Sequence, residues 1–324
     1  MTDQARAVQI PDGRIDVHVH ALPPFYIEAV EASGHKASVS AGFPPWTPQD
    51  ALAFMERNGI AFSINSISPP GVAFGDDAKA RALARRCNDY LATLAAQYPQ
   101  RFGGLGILPM PDVAGSLDEI DHALDVLQLD GIVLFASYGT AFLGDPVFDP
   151  VLERLNQAAA TVFIHPNSHP ASLTLGMQIP TFLVEFPLAT TRVVANLIFS
   201  GALQRFPRIK FILAHNGGAI PFLSWRFAMA PLIDTRFDGF TQESALAALR
   251  SFYFETAQAA GPAPMAALAE ISDRSHWLFG SDWPYCPQSV TQAGEASLAA
   301  SGFLADLAPD LFRQNALALF PRLK

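Results

Sequence analysis

The chain has 324 residues, half of them hydrophobic and 16% charged. That composition excludes a disordered chain and suits one α/β barrel over residues 1–324, with no call for a second domain. A net charge of -9, spread without long runs of one sign, speaks against nucleic acid and anionic membrane surfaces as partners.

The two cysteines, Cys87 and Cys286, form no CxxC pair, which suits a reduced, intracellular setting. The opening "MTDQARAVQIPDG" has no apolar signal core, and no apolar run looks long enough to span a bilayer. These features lead us to expect a soluble cytoplasmic protein.

In chain order, eight short apolar runs read as strands. They are "RIDVHVH" (14–20), "GIAFSINSIS" (59–68), "RFGGLGILPM" (101–110), "GIVLFAS" (131–137), "TVFIHP" (161–166), "KFILAHNG" (210–217), "FYFETA" (252–257) and "WLFGSDWPY" (277–285). Helical patterns lie between them. In "TPQDALAFMERNG", Thr47 can cap the start, Pro48 suits the first turn and Gly59 follows the last. "DDAKARALARRCNDYLATLAAQY" and "SLDEIDHALDVLQ" carry the 3.6-residue period. Strands alternating with helices predict a parallel (β/α)8 barrel. The rival is a doubly wound open sheet, which usually has a Gly-rich phosphate loop after its first strand; "HALPPFY" is not one. Residues 21–46 and 169–186 are long for strand-to-helix loops and are expected to form lids after strands one and five.

Residues two apart in a strand share a face. His18 and His20 therefore project together, and His165, His215 and Asp282 stand at the ends of strands five, six and eight. In a parallel barrel these ends open onto one face, where catalytic residues gather. Imidazole and carboxylate ligands suit one divalent ion such as zinc. His18, His20, His165 and Asp282 would hold it with a position left open, freeing His215 as acid or base. Strand four has no lysine to bridge a second ion. Glu255, at the end of strand seven, would either hold a ligand histidine in its tautomer or face solvent. His35 and His169 are candidates to touch a substrate, whereas His122 reads as a surface group and His276 precedes strand eight, at the wrong end of the barrel.

Together "IDVHVHALPP", "RFGGLGILPMPD", "VFIHP", "RFPRIKFILAHNGGAIPF" and "LFGSDWPY" resemble the amidohydrolase superfamily. Within it they are similar to the aminocarboxymuconate-semialdehyde decarboxylase branch. "HALPPFY" resembles the opening of 6-methylsalicylate decarboxylase-type enzymes. The resemblance implies a distorted (β/α)8 barrel and one divalent ion, zinc or manganese. It implies non-oxidative removal of CO2 from an aromatic or unsaturated carboxylic acid. It puts the family's ligands on His18, His20, His165 and Asp282 and its acid/base on His215. It also puts on Arg226 an arginine that reaches across a homodimer. The muconate-semialdehyde enzymes hold a second substrate carboxylate with an arginine after strand one. The segment "EASGHKASVSAGFPPWTPQD" has none, only Lys36, so a monocarboxylate in an apolar pocket lined by Phe25, Trp46 and Tyr285 fits better. Either Asp282 or His215 would deliver the proton to the ring carbon. Alternatives are a hydrolase of amides, esters or lactones on the same ion, and a non-catalytic metal-binding scaffold.

Overall fold

Runs of Ile, Val and Phe long enough for a strand but too short for a helix build the centre of the molecule. The computed structural model describes residues 8–35, 42–175, 178–302 and 308–323. Its main sheet comprises β1 (Arg14–His20), β2 (Ile60–Ser66), β3 (Phe102–Ile107), β4 (Gly131–Phe135), β5 (Thr161–His165), β6 (Lys210–Leu213), β7 (Tyr253–Glu255) and β8 (Trp277–Leu278). Each strand pairs in parallel with the next.

Closure between β8 and β1 is irregular. The Val17 amide donates to the Phe279 carbonyl at 3.0 Å, the Asp282 amide to His18 at 2.7 Å, and the His20 amide to Trp283 at 2.8 Å. The result is the expected (β/α)8 barrel, with its last strand reduced to two ladder residues.

Helices follow the expected signals. Thr47 accepts from the Asp50 amide at the start of the helix Pro48–Arg57, and Asp76 accepts from Lys79 at the start of Asp77–Gln97. Gly59, at φ 61°, turns the chain into β2. The pattern in "SLDEIDHALDVLQ" becomes a helix Val113–Ile120 that loosens into a π-turn over Asp121–Val126. His122 lies there, paired with Asp89 at 2.7 Å. His276 stacks on Tyr253 with centroids 4.1 Å apart. Both therefore have structural partners outside the catalytic face.

Two expectations change. The stretch after β1 folds in part as a helix, Pro24–Ala32, with Tyr26 and Val30 buried; residues 36–41, including Lys36, lie outside the described residues. The helix Thr181–Phe199 is long and apolar enough to cross a membrane, contrary to the sequence reading. It packs onto the barrel, however, with Ala189, Val193, Val194, Leu197 and Ile198 in the core.

At the opposite end of the barrel, Asp130 precedes β4. Its Oδ1 accepts from Arg322 Nε at 2.8 Å and Nη2 at 2.7 Å, and its Oδ2 accepts from the Gly104 amide at 2.9 Å. The pair pins the C-terminal segment to the barrel. Replacing Asp130 with Ala strands a half-buried guanidinium, so stability should fall by about 3 kcal/mol in a denaturant titration. Metal content should not change.

Candidate metal centre and cavity

The ends of β1 and β5 and the turn after β8 bring three imidazoles and one carboxylate together. The His18–His20, His18–His165 and His20–His165 ring centroids are 5.0, 5.1 and 5.0 Å apart. Ligand atoms of His18, His20, His165 and Asp282 all lie within 4.8 Å of one another. All four residues are buried.

The outer nitrogens fix the tautomers. His18 Nδ1 lies 2.8 Å from Glu255 Oε1, and His165 Nδ1 lies 2.7 Å from the Pro166 carbonyl. Both partners accept, so both Nδ1 atoms donate. The Ser66 hydroxyl donates to the Val19 carbonyl, which leaves its oxygen to accept from His20 Nδ1 at 3.1 Å. Each Nε2 then carries a lone pair toward the centre. The Nε2 atoms of His18 and His20 are only 3.2 Å apart, and Asp282 Oδ1 lies 3.2 Å from His20 Nε2 and 3.3 Å from His18 Nε2. Acceptors this close repel unless a cation or proton sits between them. A divalent ion therefore fits the donor set.

The electrostatics of the centre agree. Burial lowers the His18 pKa, but Glu255 and Asp282 outweigh it and lift the group to about 10. Burial depresses His20, and depresses His165 further with help from His20. Burial would raise Asp282, but His18, His20 and His215 hold it well below the usual carboxylate range.

Glu255 proves to be a buried hub rather than a solvent-facing group. Besides His18, its Oε1 accepts from the His215 amide at 2.5 Å, and its Oε2 accepts from the Ala257 amide at 2.7 Å. His215 Nε2 lies 3.4 Å from Asp282 Oδ2. Sequence reasoning missed Asp16, on the same face of β1 two residues before His18. Its carboxylate accepts from the Ser281 hydroxyl at 2.5 Å and from the amides of Ser281 and His18, both at 3.1 Å. Burial raises it to about 7. Ser66 was also missed; it is an ordinary strand residue until β2 lies beside His20.

A cavity of about 620 Å³ opens over this centre. His165, His215 and Asp282 form its floor with Ser68, Asn216, Gln258 and Tyr285. Phe182, Leu183, Phe186, Pro187, Phe222, Pro264 and Val290 supply apolar wall. No lysine or arginine lines it among the described residues. A larger hollow of about 1010 Å³ lies at the other end of the barrel. Its arginines are already paired, Arg154 with Asp121 and Asp125 and Arg322 with Asp130.

Of the expected contact residues, Tyr285 lines the cavity, with its hydroxyl 2.6 Å from Ser68 Oγ. Phe25 and Trp46 do not. Phe25 lies under Arg86, 4.0 Å away, and against Tyr90, and Trp46 also packs on Tyr90. His169 stacks on Phe142 with centroids 4.9 Å apart, outside the wall. His35 packs against Phe74. Arg226 is exposed on the helix Ile220–Ile233 and does not reach the cavity of its own chain. From the second long segment, Phe182, Leu183 and Phe186 line the cavity at the start of the helix after β5.

Two substitutions probe the centre. A Cβ at Gly280 would lie 2.0 Å from Glu255 Oε2 and 2.8 Å from the His18 Cβ, so Gly280→Ala should lower both metal content and melting temperature. Glu255→Gln turns an NH2 group toward a backbone N–H or His18 Nδ1–H. Metal affinity should drop about 10- to 100-fold, read by competition with a chromogenic chelator.

The comparisons with known proteins agree with this geometry. The amidohydrolase family model matches residues 15–322. A 6-methylsalicylic acid decarboxylase of Penicillium expansum is 37% identical over 96% of this chain and 97% of its own. The 5-carboxyvanillate decarboxylase of Sphingomonas paucimobilis superposes with a TM-score of 0.84 at 24% identity, over 95% of this chain and 99% of its own. A dihydroxybenzoic acid decarboxylase of Polaromonas sp. JS666, solved with manganese and 2-nitroresorcinol, superposes with a TM-score of 0.78 at 21% identity, over 96% and 97%. With its barrel, its converging histidines and a family match over nearly its whole length, the chain belongs to the amidohydrolase family.

Proposed function

We propose that this protein is a metal-dependent, non-oxidative decarboxylase of a small aromatic monocarboxylic acid of the salicylate type. One observation carries the reading: a three-imidazole, one-carboxylate centre meets the floor of an apolar cavity through His165 and Asp282, with His215 beside them and no cationic side chain in the described wall. The 6-methylsalicylic acid decarboxylase, similar over nearly the whole chain, supports the same class.

His18, His20, His165 and Asp282 would hold a divalent ion, which when bound would supply Lewis acidity and a template for the substrate carboxylate. Zinc suits this donor set, and the manganese in the dihydroxybenzoic acid decarboxylase makes manganese the alternative. Phe186, Phe222 and Pro187 offer apolar faces to the ring.

Decarboxylation needs a proton at the ring carbon that bears the carboxylate; the carbon–carbon bond then breaks, CO2 leaves and aromaticity returns. Asp282 is held ionised by its histidine neighbours, and a cation beside it strengthens that preference. That leaves His215 as the donor. Its amide is fixed by Glu255 and its Nε2 faces Asp282 Oδ2. Tyr285 and Ser68 complete the polar edge.

We take the active unit to be a homodimer in the cytoplasm. Phe222 lines the cavity yet is 85% exposed, and Trp225 beside Arg226 is 65% exposed. The cavity thus opens beside an apolar face that a second copy would cover, bringing its Arg226 to the mouth.

Incubating zinc- or manganese-loaded protein with 6-methylsalicylate and its isomers should release CO2, followed by a coupled carboxylase assay. Hydrolysis of esters or lactones without CO2 release would overturn the reading. His215→Asn should keep its metal and lose at least ~10²-fold in kcat. If Arg226 acts across the interface, mixing inactive His215→Asn with Arg226→Ala should restore activity as subunits exchange. No recovery, despite a dimer by light scattering, would confine Arg226 to another role.

A further inference from the structure

Gln258 follows β7 in a turn and lies on the cavity wall. Its backbone has φ 56°, a conformation that a non-glycine residue keeps only when its surroundings impose it. From there its side-chain Nε2 donates to Asp282 Oδ2 at 2.5 Å. The two oxygens of Asp282 are thus divided. Oδ1 faces the Nε2 atoms of His18 and His20, whereas Oδ2 accepts from Gln258 and lies 3.4 Å from His215 Nε2.

We propose that Gln258 is a positioning residue that keeps Asp282 a one-oxygen ligand. The amide occupies Oδ2, so only Oδ1 is offered to the ion. The position that a second carboxylate oxygen would fill stays open for substrate, and Oδ2 stays beside His215. Without the amide, Asp282 is free to turn both oxygens to the ion. It then takes the substrate's place and leaves His215 without its partner. The inference rests on the ion site of the proposed function.

The test uses manganese-loaded wild type, Gln258→Leu and Gln258→Asn, with water-proton relaxation and electron paramagnetic resonance reading how many positions on the ion remain open. Leu removes the donor. Asn suits the left-handed backbone better than Gln but is too short to reach Oδ2. Both variants should bind one Mn2+ at least as tightly as wild type, lose relaxation enhancement and change the resonance spectrum. With a salicylate-type acid, kcat should fall and KM rise, while the Asn variant keeps a wild-type melting temperature. A wild-type relaxation and resonance signature in either variant overturns the proposal. If Gln258 served only the turn, Asn would match wild type in every readout. Failure of the wild type to bind Mn2+ would instead sink the ion site itself, and this proposal with it.

Discussion

The seam between the first and last strands is the constraint on which the site depends. The β8 ladder is only two residues long, so barrel closure falls to the backbone beyond it. The residues that close it are those that carry the ligands: the His18 carbonyl takes the Asp282 amide, and the His20 amide reaches Trp283. Asp16 doubles the seam by accepting from Ser281 and from the His18 amide. Ligand positions are therefore set by the same hydrogen bonds that complete the fold. A disturbance at the seam therefore acts on the ligand positions and on barrel closure together.

Around that seam, polar groups are arranged to leave lone pairs, not hydrogens, at the centre. Glu255, the Pro166 carbonyl and Ser66 each take the outer N–H of one imidazole. Glu255 also binds the amide of His215, which links the ligand set to the cavity-lining histidine that stands outside it. His215, Asn216, Gln258 and Asp282 all have positive φ. Such conformations cost about 1–3 kcal/mol each and persist only where neighbours impose them. Here they gather at the strand ends, where turns must bend back over the cavity to aim their side chains at one point.

Much of this was legible in the sequence. Apolar runs of strand length alternating with capped helices specify a parallel barrel, and strand period two puts His18 and His20 on one face. The barrel rule then gathers His165, His215 and Asp282 at the same end. What was not legible depends on register between strands or on turn geometry. Ser66 becomes a partner of His20 only because β2 pairs with β1 in that register. Gly280 is required only because Glu255, at the end of the neighbouring strand β7, packs against it. Gln258 has no motif at all; its role comes from one turn. The aromatic wall was misplaced for a similar reason. Phe25 and Trp46 follow β1 in the chain, but they pack against Tyr90 on the helix Asp77–Gln97. The wall comes instead from Phe182 and Phe186 after β5 and Phe222 after β6. Proximity along the chain was a poor guide to proximity around the barrel.

The cavity's polarity bears on both selectivity and direction of the proposed reaction. An aromatic monocarboxylate brings one charge, and the metal centre can neutralise it. A second carboxylate would enter a wall with no cation among the described residues. Deep in that wall an unpaired buried charge costs several kcal/mol, and each 1.4 kcal/mol is a tenfold loss in affinity, so a dicarboxylate binds well only where its second charge reaches the mouth, beside the Arg226 of the proposed second copy. The same wall acts on the products. CO2 and a decarboxylated arene are neutral, and neither needs the cation once the carbon–carbon bond has broken. A site that binds its substrate through one charge and then removes that charge weakens its hold on the product at the moment of reaction. An apolar cavity over a single ion therefore both admits the acid and releases the arene.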